Sequence, residues 1–430
     1  MRLPLKFLSL VSATVLLSLS SPLPPTGTTL EIARVLAQAP TTQERQAEAD
    51  GLFRKGVEFF SRTQFREALQ TYQQVLRIRQ ELGDKVGEGI TLNNIGTVYL
   101  YQGEYATALE FYQQGLDIHK QVGNKAEEGT TLNNIGTVYL YQGEYSKALE
   151  FYQQALALHK QVGNEAMEGT TLNNMGEVYR NLGEYSKALE FYQQALALHK
   201  QVGNKAMEGT TFNNIGLVYL NQGEYDKALE FYQQALALHK QVGNKEGQGI
   251  TLSSIGYLLA QQNQPELAIV FYKQSVNVRE AIRQDIRGLP PGEQASYTKT
   301  VAGTYRQLAN LLLKQNRVLE AQQVLDLLKV QEVRNYLGNL PNTNQAARDV
   351  NLLSTEQRVG TQYSAIQDKV IALGQELTAL RNIPEAKRTP AQQQRIAELV
   401  KNEETIRQEF NSFMKSPAVA ALTQQLKTTG

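Results

Sequence analysis

Between residues 49 and 336 apolar positions recur at helical spacing, and as far as about 288 the whole pattern returns every forty residues. One stripe runs Leu92, Ile95, Gly96, Tyr99, spaced i, i+3, i+4, i+7, which places all four on one face of an α-helix. A second runs Ala108, Leu109, Tyr112, Leu116 at the same kind of spacing. Gly103 between the stripes and Gly123 after the second are helix stops, because glycine adopts the positive φ that ends a helix. The pattern predicts two helices per period and an all-α chain. Thr91–Tyr99 returns as Thr131–Tyr139 and, with small changes, at Thr171–Tyr179 and Thr211–Tyr219; Tyr145–Asn164 returns letter for letter as Tyr185–Asn204. Self-similarity at a fixed period of this size is the mark of a stack of equivalent units.

These residues resemble the tetratricopeptide repeat: Leu92, Ile95, Gly96, Tyr99, Ala108 and Tyr112 stand where its helix-pair signature puts them. The resemblance implies an α-solenoid, a right-handed superhelix of helix pairs whose first helices line a concave surface. The usual unit has 34 residues, so the extra length here extends the helices, as in the kinesin light chain variety. Lys120 stands where that family often carries a proline, and the second helix is expected to run on past it. Gly56, Phe59, Ala68 and Tyr72 mark a weaker first copy; Leu252, Ile255, Gly256, Ala268 and Tyr272 mark a sixth. Tyr305, Leu308, Ala309, Leu312, Ala321 and Leu325 mark a seventh, after an insertion holding Gly288–Gly292. Starts near 49, 89, 129, 169, 209, 249 and 302 give seven repeats over 49–336, preceded by a linker over 40–48.

From 342 to 430 the period is gone. Leu352, Val359, Tyr363, Ile366, Val370, Leu373, Leu377 and Leu380 form a coiled-coil-like seam. Pro384 and Pro390 break it, and Ile396, Leu399, Ile406, Phe410 and Phe413 form a second stripe, so an antiparallel helical hairpin is the simplest reading. The stretches Ile282–Pro290 and Gln322–Tyr336 are similar to the junction of bacterial, often cyanobacterial, proteins that join such repeats to a caspase-like CHAT domain. No Cys is present to serve as nucleophile and every His lies within a repeat, so nothing of that peptidase carries over.

Composition narrows the chemistry. Lys and Arg number 43 against 42 Asp and Glu, a net charge of +1, which removes nucleic acid as a default partner. Zero cysteine excludes disulfides, thiolate metal sites and a Cys nucleophile. Residues 1–39 match a secretory signal peptide: Arg2 and Lys6, an apolar run from Phe7 to about Leu19, and an Ala37-Gln38-Ala39 exit, with a cut near Ser20 as the alternative. The protein is therefore expected to be exported, periplasmic or secreted, with no stable membrane insertion once the signal is removed. No phosphate-loop, dinucleotide or zinc-protease motif occurs, and no cofactor, metal or enzymatic activity is expected.

Two ladders remain as candidate sites. Asn93, Asn133, Asn173 and Asn213, continued by Ser253, occupy one first-helix position in successive repeats. On the resembled concave surface they would offer a row of amides, each both donor and acceptor, to the backbone of an extended peptide. The alternative is a solvated residue copied by duplication. Thr97, Thr137, Glu177 and Leu217, then Leu100, Leu140, Arg180 and Leu220, are the neighbouring groove positions, a mixed surface without a basic cluster. Asn94, Asn134, Asn174 and Asn214 are rotated ~100° away and are expected to bridge between helices. His119, His159, His199 and His239 lie near second-helix ends, a full repeat apart, too far to share a metal ion. The helix dipole there suits them without further role. The function these features predict is a protein–protein interaction scaffold binding a protein or peptide segment. The alternatives are the substrate-recruiting part of a CHAT-type peptidase system and a structural spacer.

Overall fold

From the first to the sixth repeat, each second helix hands over to the next first helix on the same pair of signals. In the computed structural model, which describes residues 41–62, 64–285, 291–337, 352–381, 383–414 and 416–421, Gly83, Gly123, Gly163, Gly203 and Gly243 all take φ of about +70° and end a second helix. The next residue, Asp84, Asn124, Asn164, Asn204 or Asn244, then caps the following helix by accepting a hydrogen bond from the backbone N–H three residues on, at 2.9 Å for Asp84 and Asn244. Stop and start are thus one connection of two or three residues.

The resulting helices are α1 Thr42–Ser61, α2 Phe65–Leu82, α3 Lys85–Gln102, α4 Tyr105–Val122, α5 Lys125–Tyr141, α6 Tyr145–Val162, α7 Glu165–Asn181, α8 Tyr185–Gln201, α9 Lys205–Asn221, α10 Tyr225–Gln241, α11 Lys245–Gln261, α12 Pro265–Asp285, α13 Pro291–Lys314 and α14 Val318–Leu337. Successive helices pack as seven pairs, a tetratricopeptide-type solenoid. First helices begin earlier than the apolar stripes imply, at Lys85 rather than 89 and at Pro291 rather than 302, because their polar first turns are helical too. The linker expected over 40–48 is helical from Thr42. Thr41 and Glu44 form a reciprocal capping box there, with the Thr41 N–H donating to Glu44 Oε2 at 2.7 Å. Residues 1–40, which include the expected signal peptide, and residues 286–290 lie outside the described residues. Leu325, assigned above to the seventh core, is exposed; Ala321, Val324 and Leu328 carry that face instead.

Within a pair, the tyrosine of the second helix lies across the glycine of the first. A Cβ on Gly96, Gly136 or Gly176 would stand 2.8 Å from a ring carbon of Tyr112, Tyr152 or Tyr192, and these rings are fully buried. Ala108, Ala148, Ala188 and Ala228, also fully buried, permit the same close approach from the other helix. Tyr99 stacks on Phe111 with ring centroids 5.4 Å apart, repeated by Tyr139–Phe151 and Tyr179–Phe191. Adjacent first helices touch (α3 with α5, α5 with α7, α7 with α9, α9 with α11), whereas adjacent second helices do not approach to that extent. The first helices therefore form the inner, concave side.

The tail forms helices α15 Ser354–Arg381 and α16 Pro390–Met414. Pairs Lys369–Glu409 and Glu376–Arg395 set them antiparallel, the expected hairpin. Unforeseen is its docking: α15 packs on α10 and α12, with Tyr363 edge-on to Phe271 at 4.9 Å. Beside it a buried ionic cluster joins Lys273 Nζ to Glu356 (2.8 Å) and Glu320 (2.6 Å), and Arg317 to Glu356 (2.8 Å). Among the described residues no helix is long and apolar enough to cross a membrane.

The Gly–Tyr contact leads to a direct expectation. Gly136→Leu cannot be absorbed by a fully buried ring and should destabilise the array by at least the ~1–3 kcal/mol typical of overpacking, read as a lower urea midpoint by circular dichroism. An unchanged midpoint would show the contact to be dispensable.

Candidate functional site

Each first helix of the array has neighbours on three sides, which leaves one open face. At 100° per residue, positions such as 90, 94, 97 and 101 share it, while 92, 95, 96 and 100 turn inward. Leu100, Leu140 and Leu220 are accordingly buried in the inter-helix core and do not line the groove, a correction to the sequence reading. Exposed in their place are their neighbours in sequence, Tyr101 (63%) and Tyr141 (56%), at the rim where the first helices end. Ile250 and Tyr257 are exposed on the same face of α11, and Val57 on α1. The signal that locates these residues is the i, i+4, i+7, i+11 spacing through position 97, whereas the sequence reading followed i+3 into the core.

The asparagine ladder is also placed differently. Asn93, Asn133, Asn173 and Asn213 are at most 7% exposed. Asn133 Oδ1 accepts from Thr171 Oγ1 at 3.1 Å and from Asn174 Nδ2 at 3.2 Å. Asn173 Oδ1 accepts from Thr211 Oγ1 and Asn214 Nδ2, at 3.3 and 3.2 Å, and Asn93 Oδ1 from Asn134 Nδ2 at 3.4 Å. The two asparagine rows thus form a polar seam between adjacent first helices. The bridging expected of Asn134, Asn174 and Asn214 is observed, and the Asn93 row is its acceptor side. The duplicated pair closes the seam because each repeat presents an acceptor to one neighbour and a donor to the other. Ser253 differs: its Oγ lies 2.8 Å from Ser275 Oγ and 3.2 Å from Thr304 Oγ1, which ties the sixth repeat to the seventh.

Thr97 and Thr137 sit half-buried on the open face, where each hydroxyl accepts from the tyrosine beneath it: Tyr112 Oη to Thr97 Oγ1 and Tyr152 Oη to Thr137 Oγ1, both 3.1 Å. Glu177 and Arg180 are brought together, Arg180 Nη2 donating to Glu177 Oε1 at 3.2 Å. Leu217 is half-buried at the equivalent position of the next repeat.

The histidine ladder sits at the opposite end of the pairs. His119, His159, His199 and His239 are buried in the last turns of α4, α6, α8 and α10, each ring against the glycine that opens the buried stretch of the preceding helix. A Cβ on Gly89 would lie 2.6 Å from His119 Cε1. Burial lowers the pKa of all four, to about 4 for His239. Desolvation therefore outweighs the helix dipole, which would favour the charged ring. No group of three metal-binding side chains occurs among the described residues.

With this geometry in hand, comparisons place the chain. A tetratricopeptide repeat family model matches residues 59–121, 123–202 and 207–281, together just over half of the sequence. A Rap protein complexed with competence and sporulation factor superposes with a TM-score of 0.52 at 15% identity, covering 75% of this chain and 84% of that one. The apo quorum sensor NprR from B. thuringiensis gives 0.47 at 18% identity, covering 70% and 80%. The apo form of RapI gives 0.47 at 16%, covering 68% and 100%. At such identities likeness bears on the fold alone. No curated protein matches the chain.

The buried histidines make stability depend on pH. Their folded pKa values lie below the unfolded value, so the unfolded chain binds more protons and stability is lost as the pH is lowered. The contribution is complete above about 6.5 and is lost progressively below that, down through about 4 for His239. The thermal midpoint should drop between pH 7 and pH 5, while NMR shows the His239 ring untitrated at pH 6.5 and the other three titrating below the ordinary value. Rings titrating at the ordinary value would contradict this.

Proposed function

We propose that this chain, which belongs to the tetratricopeptide repeat family, is a non-enzymatic scaffold that holds an extended protein segment along the open face of its first helices. The observation that carries this reading is the exposure of Tyr101, Tyr141, Ile250 and Tyr257 on helices that are otherwise buried nearly all round. Large aromatic side chains at a rim are the side chains that most often dominate binding energy when a partner covers them. The asparagine row contributes less than a free ladder would, since the oxygens of Asn93, Asn133 and Asn173 are occupied by the seam. Nδ2 of Asn133 and of Asn173 donates to no acceptor among the described residues, and is available to a ligand carbonyl. That one structural neighbour was solved with a bound factor supports the use of this architecture for capture.

Two further readings belong to this proposal. The similarity of residues 282–290 and 322–336 to the CHAT-associated junction supports a narrower role, recruiting substrates for a caspase-like peptidase. A peptidase of that class co-purifying with the native protein would favour it over general scaffolding. The basic start and apolar run of residues 1–39 support export. Mass spectrometry of the native protein should find Pro40 as its first residue, and an intact Met1 in the cytoplasm would refute this.

The groove is tested with peptides selected from a random library on the immobilised chain. Tyr101→Ala/Tyr141→Ala should weaken the selected peptides at least tenfold while the chain stays folded, its melting curve shifting by no more than the loss of the rim contacts of Tyr101 with Phe60 and of Tyr141 with Tyr105. Asn133→Ala should behave in the opposite way. It leaves Asn174 Nδ2 without its acceptor, at a cost of ~1–3 kcal/mol in stability. Equal affinity of the tyrosine variant for every selected peptide would move the binding face elsewhere.

A further inference from the structure

In an array this regular, a departure from the period carries information. Helices α6 and α8 are copies of one sequence, yet α7 departs from α5 on its open face and last turn: Glu177 replaces the equivalent of Thr137, Arg180 that of Leu140, and Asn181 that of Tyr141. The change has a structural consequence. Where threonine stands, the tyrosine beneath has a partner; at the fourth and fifth repeats Glu177 and Leu217 stand instead. Tyr192 and Tyr232 are fully buried, and their hydroxyls have no hydrogen-bond partner among the described residues. Arg180 occupies a position that is buried leucine in its neighbours. Its Nη2 bonds Glu177 and Asn181 (3.0 Å), while its Nε is buried without a partner. Buried donors left unsatisfied are costly, and their accumulation at one place needs an explanation.

Resting on the groove reading above, we infer that the fourth and fifth repeats form a carboxylate-recognition subsite in which Arg180, Tyr192 and Tyr232 supply the donors. The geometry follows from the intact repeats, where the same tyrosine oxygen reaches the hydroxyl at position 97 or 137 on the open face. At Tyr192 and Tyr232 that oxygen ends beneath positions 177 and 217. Burial raises the pKa of both phenols by more than the nearby Arg180 charge lowers it, so they are protonated donors at neutral pH. Guanidinium offers donors only, so the complement is an acceptor group with negative charge. Glu177 already offsets the Arg180 charge, which leaves too little positive potential for a dianion and suits a single carboxylate. Half-exposed Glu177 marks where that carboxylate sits: it holds Arg180 in the free protein and yields to the ligand. The source is either an acidic side chain or a chain terminus of the bound segment.

The test uses the full chain and an array of ten-residue peptides in two arms. One arm carries a single Asp or Glu at each position with an amidated end; the other has no acidic residue and a free C-terminal carboxylate. The wild type should prefer one arm over neutral, amidated peptides by tenfold or more. Glu177→Thr/Arg180→Leu restores the residues of the preceding repeat, so it folds, and it should abolish that preference while neutral peptides still bind. Tyr192→Phe should weaken the preferred arm several-fold without lowering the melting temperature, because the lost hydroxyl had no partner in the free protein. A preference that survives the double variant overturns this inference and leaves the groove reading standing. Failure of the wild type to bind any peptide overturns both.

Discussion

A tyrosine ring resting on a glycine sets the geometry on which everything else in this array depends. With 2.8 Å between a ring carbon and the place where a Cβ would stand, no other residue fits opposite Tyr112, Tyr152 or Tyr192. That contact fixes the distance between the two helices of a pair, and with it the curvature that turns the first helices inward. It also delivers the phenol oxygen through the pair to the opposite surface. A core contact thereby becomes a groove property, because whatever residue stands at the exit, Thr97, Thr137, Glu177 or Leu217, decides whether the hydroxyl is satisfied by the protein.

The polar groups of the first helices divide between holding the stack and meeting a ligand. The oxygens of Asn93, Asn133 and Asn173, each accepting from the following repeat, are committed to the stack. Their burial is tolerable only because those bonds are made; a net hydrogen bond contributes ~0.5–1.5 kcal/mol, whereas an orphaned one costs more than that. The same logic applies to the histidines, which fill space against glycine as neutral rings and give up charge to do so. Stability in such a stack is close to a sum of repeat and nearest-neighbour terms, so small contributions of this kind multiply along the array.

Much of this was legible in the residues themselves. Periodicity exposed the helix pairs, the apolar stripes that hold Gly96, Ala108 and Tyr112, and the glycine stops, because each is written in the order of the letters within one unit. Which side of a helix faces the hollow was harder to read. Moving from Leu100 to Tyr101 turns the side chain by ~100° and takes it from core to solvent, and nothing within a single repeat says where its neighbours will lie. The asparagine seam was hidden for the same reason, since its partners are 41 residues apart. Glu177 and Arg180 stood out as an interruption, but the orphaned phenols beneath them belong to other helices.

Near-identical repeats leave one problem that the Gly–Tyr contact cannot solve: they do not specify their own order. Helix α6 would pack against α9 much as it packs against α7, because the surfaces presented are copies. Only unrepeated contacts distinguish the correct register; the first repeat has its own, such as Arg79 with Asp50 and Phe53, and a larger set closes the C-terminal end. Phe271 and Tyr363 meet edge-on, and Lys273, Arg317, Glu320 and Glu356 close a buried ionic cluster joining α12, the start of α14 and the start of α15. A buried ion pair is poor at adding net stability, since desolvation consumes most of its attraction. It is effective at excluding alternatives, because one missing partner leaves a charge buried alone. A chain shifted by one repeat would strand Lys273, a residue with no exposed surface. The hairpin thus supplies to the array what duplication removed, a reason for each repeat to have one place.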